Sequence, residues 1–233
     1  MANQEHVAIV KGGPESIASW REANPGVALD LEGEDLSGAD LRHCKIRNAN
    51  LRGASLAGAL LVRASLAGAD LTGANLEGAD MGRATLTGAN MEGANLTNVN
   101  LFWADVKRVS LRGASLRASR VIRACFLSSD LTGADFSLAT MLEVDLRSTD
   151  MTNACFQSAM MNGADMDRAI MAGTDFTKAM LRDSMWTMSD MRGANFDQAS
   201  LHRSDLSMAK FDDTTRFPKG FDPYNTGEKD VMD

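Results

Sequence analysis

From Leu31 through Phe211 every fifth residue is apolar, over 37 consecutive positions without insertion or deletion. A period of five fits neither the 3.6 of a helix nor the two of a strand. Self-similarity at a fixed period marks a repeat architecture, in which each unit buries its apolar side only against its neighbours. A second restricted column lies two residues before each centre. It is mostly Ala (Ala39, Ala49, Ala54, Ala64), otherwise Cys44, Val99, Val109, Val144 or a small Ser or Thr. Two inward residues spaced by two make one short beat of strand. The other three positions take Asp, Asn, Ser, Thr, Arg and Gly, so they face water or turn the chain. Each pentad reads as one side and one corner of a coil.

The number of sides follows from a longer period. Gly33, Gly53, Gly73, Gly93, Gly113, Gly133, Gly173 and Gly193 share one corner column, interrupted within that span only by Asn153. Gly and Asn tolerate φ > 0, so this corner is expected to be left-handed. Phe136, Phe156, Phe176 and Phe196 repeat at the same spacing of twenty. One coil is therefore four pentads, and the four Phe rings are expected to stack along one inner face.

A stretch such as Ala69–Leu96, ADLTGANLEGADMGRATLTGANMEGANL, resembles the pentapeptide repeat proteins, whose motif is summarised as A(D/N)LXX. The resemblance covers about four fifths of the chain. It implies an all-β fold, a right-handed quadrilateral parallel β-helix with inward centres and tight-turn corners. It also implies that the Asp or Asn before each centre serves the fold's own hydrogen bonding. Nine coils stacked ~4.8 Å apart would give a rod of about 43 Å.

The repeat occupies residues 29–213. Residues 1–28 read as an N-terminal cap, because an open solenoid end exposes unpaired edges and apolar core. In it, His6–Val10 is expected to pair as a short strand. Pro14 and Glu15 then open a short helix that Asn24-Pro25 ends, and Trp20 is expected to plug the core. Glu34 falls in an inward column, so the first dry coil is expected to begin after it. The Met-rich centres, including Met141, Met151, Met161, Met166, Met171 and Met191, read as packing. Trp186 overfills its centre and is expected either to bulge the coil or to reach a corner carbonyl with its indole N–H. Residues 214–233 break phase; Phe217 and Phe221 are expected to fold over the last coil, followed by a disordered tail.

Function has to be sought on the surface. A net charge of −7 argues against binding nucleic acid directly through phosphate contacts. Without a signal sequence or membrane span, a cytoplasmic protein with no membrane association is expected. Cys44, Cys125 and Cys155 show no metal spacing and sit on different faces, and His43 and His202 are eight coils apart. No nucleophile, phosphate-binding or dinucleotide motif is present, and a regular rod offers no deep pocket. The chain is expected to be a non-enzyme without cofactor or metal.

Sorted by side, the outward residues of the face bearing the Gly column sum to −5 and those of the Phe-column face to −3, with +3 on the third face and +1 on the fourth. Two readings follow. Some relatives with acidic, DNA-like faces bind DNA gyrase in place of duplex, and the resemblance would assign that role here to Asp70, Glu92, Asp130, Asp150 and Asp190. Those members dimerise through a C-terminal helix, whereas this tail is broken by Gly and Pro; the capped, unbroken solenoid looks more like bacterial members without assigned activity. The preferred reading is a rigid protein-interaction scaffold, monomeric or weakly dimeric. On the third face the polar rule fails at Leu60, Val62, Phe102, Trp103, Ile122, Leu142, Met160 and Met180, with Arg120 and Arg123 beside them. Aromatic and Arg side chains together are the composition of binding hot spots, so a partner or a second copy is expected to dock there.

Overall fold

A computed structural model describes residues 2–224. Parallel bridges link residues twenty apart from Asp30↔Asn50 to Asp190↔Lys210, four per coil, with a turn after each. The coil is four-sided. The parallel pairing expected is present, but each side contributes a single bridged residue, so among the described residues the repeat contains no extended strand.

One pentad accounts for all its backbone donors. Ala69 N–H closes the turn on Leu66 O (2.9 Å); Asp70 N–H reaches back one coil to Ala49 O (2.9 Å). Leu71 and Gly73 N–H reach forward to Asn90 O (2.6 Å) and Glu92 O (2.9 Å). The fifth, Thr72 N–H, donates to the Asp70 carboxylate at 3.1 Å. The same side-chain bond recurs at Asn75, Asp80, Asn90, Asn95 and Asn100. A buried or crowded N–H without an acceptor is costly, which is why Asp or Asn precedes the centre.

Left-handed geometry is not confined to the Gly column. Every corner takes φ > 0, including 22 residues other than Gly, such as Arg63 (58°), Trp103 (56°) and Asn153 (57°). A Cβ built at Gly33, Gly53 or Gly133 meets nothing within 4 Å. Neither sterics nor dihedral singles out that column.

Centres and small inward residues form one continuous core. Phe136, Phe156, Phe176 and Phe196 stack with centroids 5.0, 5.1 and 5.0 Å apart and planes within 11°. Phe217 continues the column 5.7 Å from Phe196. It can do so because the last bridge, Asn195↔Arg216, slips by one residue. Phe221 then stacks on Phe217 at 5.5 Å, so both rings cover the end as expected. The Met centres are fully buried. Trp186 is buried without disturbing the ladder, its N–H donating to Asp205 O at 2.9 Å. Its indole finds the Ser184 hydroxyl rather than a corner carbonyl, and the coil does not bulge.

The cap differs from the expectation. His6–Val10 is not a strand but lies within helix α1 (Gln4–Lys11). The Asn3 side chain accepts from Glu5 and His6 N–H at its N-terminus, Lys11 sits in its last turn, and Val7 and Val10, three apart, bury on one face. Helix α2 (Gly13–Ala23) carries Pro14 in its first turn and stops at Asn24, as expected. The plug is Val7, Val10 and Ile17; Trp20 is only half-buried, edge-on to His6 at 5.2 Å. Glu34 is half-buried and takes a hydrogen bond from Gln4 Nε2 (3.3 Å) at the mouth of the first coil. The tail expected to be disordered falls largely outside the described residues.

Candidate functional site

On the third face, Val62, Gly82, Phe102, Ile122 and Leu142 occupy one outward column on successive coils, each rung held by the ladder: Arg83 N–H to Phe102 O (2.8 Å), Trp103 N–H to Ile122 O (3.0 Å), Arg123 N–H to Leu142 O (2.9 Å). Leu60, Arg120, Met160 and Met180 stand where other pentads carry the turn acceptor Asp or Asn. The local rule of the fold is given up at these positions, as it is at Ile170 and Met185 on other faces.

The aromatic pair is built into a cluster with two arginines. Phe102 and Trp103 meet edge-on at 6.4 Å. The Arg120 guanidinium lies 5.8 Å from the Phe102 ring and that of Arg123 lies 5.5 Å from Trp103. Cation–π geometry of this kind holds flat, apolar groups in place beside charge. Arg123 is also gripped by Glu143 through two bonds of 2.7 and 3.1 Å, which raises its pKa. Trp103 remains 50% exposed, while Leu60, Met160 and Met180 are exposed and Val62, Phe102, Ile122 and Leu142 half-buried. The cap and the described tail residues leave this face open.

Gly82 interrupts the apolar column between Val62 and Phe102; it is buried, and a Cβ there would meet Asp80 Oδ1 at 3.3 Å and Asn100 Nδ2 at 3.6 Å. A groove of about 510 Å³ opens beside it, lined by Arg42, His43, Leu60, Val62, Arg63, Asp80 and Arg83. Arg42 is neutralised by Asp40 at 2.6 Å and Arg203 by Asp183 at 3.0 Å. Arg63, Arg83, Arg120 and Arg182 form no ion pair among the described residues; Arg63 and Arg83 line the groove, whereas Arg182 lies several coils further along the same face.

The acidic face is organised differently. Asp70 is paired with Arg52 (3.1 Å), Asp130 with Arg112 (3.0 Å) and Asp190 with Arg192. Asp70, Asp130, Asp150 and Asp190 also accept the N–H two residues on. These carboxylates close turns; the Glu92 carboxylate alone of the five accepts no such bond and forms no ion pair among the described residues, although the Glu92 N–H donates to Asn90 Oδ1 at 3.2 Å. Sequence reasoning missed the pairing because it crosses coils, at a separation of 18 residues for Arg52–Asp70 and Arg112–Asp130. It also missed other exposed apolar side chains: Leu138, Ile170, Met185, Met188 and Met208.

These features define a four-sided parallel solenoid. The chain belongs to the pentapeptide repeat family: its repeat profile matches eight copies, over residues 35–66, 64–101, 94–132, 129–168, 156–184 and 189–215. Members fold as right-handed quadrilateral β-helices. Among solved structures, the chain is similar to HetL, a pentapeptide repeat protein involved in heterocyst differentiation regulation from the cyanobacterium Nostoc sp. strain PCC 7120. Identity is 26%, over 87% of this chain and 97% of that one, with a TM-score of 0.42. It is also similar to QnrB1, a plasmid-mediated fluoroquinolone resistance protein (18% identity, 80% and 92% covered, TM-score 0.49). A third is a thylakoid lumen pentapeptide repeat protein of Arabidopsis thaliana (30% identity, 46% and 68% covered, TM-score 0.28). No curated protein matches the chain. No described helix is long and apolar enough to cross a membrane.

Proposed function

We propose that the chain is a non-enzymatic, rigid scaffold that docks a protein partner on its third face. The occupant is an acidic segment with an apolar anchor. The observation that carries this is the placing of three arginines without ion pairs among the described residues, Arg63, Arg83 and Arg120, along an open apolar column with the half-exposed Trp103 at the corner beside Phe102. The apolar anchor would lie in the groove against Leu60 and Val62, and carboxylates beside it would meet Arg63 and Arg83. Complementary charge of this sort steers encounter and selects the partner, while buried aromatics supply most of the binding energy. The rod itself contributes preorganisation, since its ladder holds the column in place before anything binds.

The test is cross-linking through a photoreactive group at residue 62, in the groove wall, followed by comparison of R63E/R83E with the parent. A partner whose cross-linked peptide is acidic, and which is lost in R63E/R83E, supports the reading. A cross-link to a second copy of the chain, or one indifferent to the charge reversal, overturns it. The alternative, a DNA mimic acting on DNA gyrase, draws on the net charge of −7. It is the weaker reading, because three of its five acids are already held by arginines on the same face. Purified gyrase in a supercoiling assay, with and without a quinolone, decides it directly.

A further inference from the structure

The N-terminal cap contains a second site. One stripe of α2, through Pro14, Ala18, Arg21 and on to Pro25, faces residues 42–48 of the first coil across a cleft of about 800 Å³, within the size range of small-molecule sites. Its wall is largely apolar: Ile17, Ala18, Val27 and Cys44 line it.

Arg21 is the unusual group. Its Nε donates to Lys45 O (3.2 Å), and its Nη1 to the carbonyls of Asn24 (3.4 Å) and Val27. Nη2 is shielded from solvent and has no partner. A guanidinium does not deprotonate in proteins, so it cannot escape an unmet hydrogen bond by losing charge. Burial nevertheless pulls its pKa down, and among the described residues no carboxylate pairs with it. Unsatisfied buried donors are uncommon and ask for a specific acceptor. Among the described residues Lys45 and Arg47 on the opposite wall also lack ion pairs; both are exposed, as are Glu15 and Glu22. The lining is therefore largely apolar, with the cationic side chains of Arg21, Arg42, Lys45 and Arg47 against those two carboxylates.

We propose that this cleft binds a small organic carboxylate, its headgroup on Arg21 Nη2 and its apolar body along Ala18 and Val27. The ligand would supply the missing acceptor and tie α2 to the first coil, at the end of the rod remote from the Phe stack.

The probes are octanoate and 2-naphthoate, titrated calorimetrically into the full chain, with octanamide and inorganic phosphate as comparators. Saturable binding of at least one carboxylate is expected, with octanamide weaker than octanoate by about tenfold or more, as for loss of a hydrogen bond to a charged group. R21Q should weaken binding to the same degree. A18W, which fills the cleft and leaves every Arg21 bond in place, should abolish it even if R21Q disturbs the cap. F102S/W103S/I122S, far from the cleft, should bind as the parent does. No saturable binding of either carboxylate overturns the proposal, as does equal binding of octanamide or of the A18W variant. Phosphate binding as tightly as octanoate would show a bare cation site instead and would equally overturn it.

Discussion

Trp186 donates its indole N–H to Ser184 Oγ at 2.7 Å, and both side chains are buried in the same coil. The hydroxyl in turn donates a hydrogen bond to Leu181 O at 2.6 Å. A small inward residue two before the centre thus supplies the acceptor that the largest core side chain requires. Replacing Ser184 with Ala should leave the indole unsatisfied and destabilise the rod by ~1–3 kcal/mol, the usual penalty for orphaning a buried donor. Urea unfolding of S184A measures it. Double replacement with Trp186→Phe should recover part of the loss, since the orphan donor goes too.

A Phe156→Ala change should cost ~3–5 kcal/mol, because a solenoid core held by ladders above and below cannot collapse into the gap. Phe156 touches rings at 5.0 and 5.1 Å on either side. The equivalent change at Phe217, which is only half-buried at the end of the stack, should cost less. Comparing the two denaturation midpoints tests whether stacking within the column, rather than burial at its end, supplies the stability.

The coil was legible in the sequence because both its periods are carried by residue types that cannot be mistaken, centres at five and Phe at twenty. The cap was less so. In HVAIV the apolar residues suggest a strand, and only Asn3 before them, as a capping acceptor, signals a helix start. What decides its place is tertiary: Asp30 N–H at the open edge donates to His6 Nδ1 at 3.0 Å, and Asn3 N–H to Asp30 O at 3.2 Å. The apolar column of the third face was visible residue by residue once the coil length was known. Its cation–π contacts were less legible: a spacing of about one coil puts Arg120 and Arg123 on the same side as Phe102 and Trp103, but does not say where each guanidinium turns. The acidic face misled because net charge counts carboxylates without asking which are spent on turns and neighbouring arginines.

His6→Ala should therefore uncover the first edge. The prediction is faster hydrogen exchange at the Asp30 amide, with the amides of the central coils unchanged, read by NMR. Equal protection in H6A would mean that Asn3 and the plug residues alone seal the edge.

Acid should weaken the rod, with one group acting in the opposite sense. The Arg42 side chain and its N–H hold the Asp40 carboxyl down to about 2 from an ordinary 3.8. At Asp190 the Arg192 side chain does likewise; at Asp70 and Asp130 burial pulls the pKa up, but hydrogen bonds from Thr72 and Thr132 together with Arg52 and Arg112 bring it down. Carboxyls whose folded pKa is depressed contribute stability above the unfolded value and lose it as pH falls through the folded one. The urea midpoint should thus decline below about pH 4, and the Asp40 carboxyl should titrate near 2 by NMR. Asp165 is raised instead, chiefly by burial; Arg147 is 3.5 Å away but is already held by Asp145 at 2.8 Å. Its contribution is present at low pH and lost as pH rises through its raised value. Asp165→Asn should stabilise the protein at neutral pH and have no effect near pH 3.

The third-face patch is distinguished from packing by a triple change. Phe102, Trp103 and Ile122 point outward, and none of them closes a turn or fills the core, so F102S/W103S/I122S should keep the parent's unfolding midpoint to within the small effects usual for surface substitutions. The same variant should lose the acidic partner, because removal of both rings also frees Arg120 and Arg123 from the cation–π contacts that orient them. Reversing Asp70, Asp130 and Asp150 to Lys leaves this face untouched and should leave partner binding intact, while disturbing the turns that those carboxylates close. Binding measured on the purified partner, beside urea unfolding of each variant, separates the two surfaces. A triple variant that unfolds assigns the column to the fold. One that stays folded and keeps full affinity removes the patch as a docking site, and loss of binding in the Asp variants alone would transfer it to the acidic face.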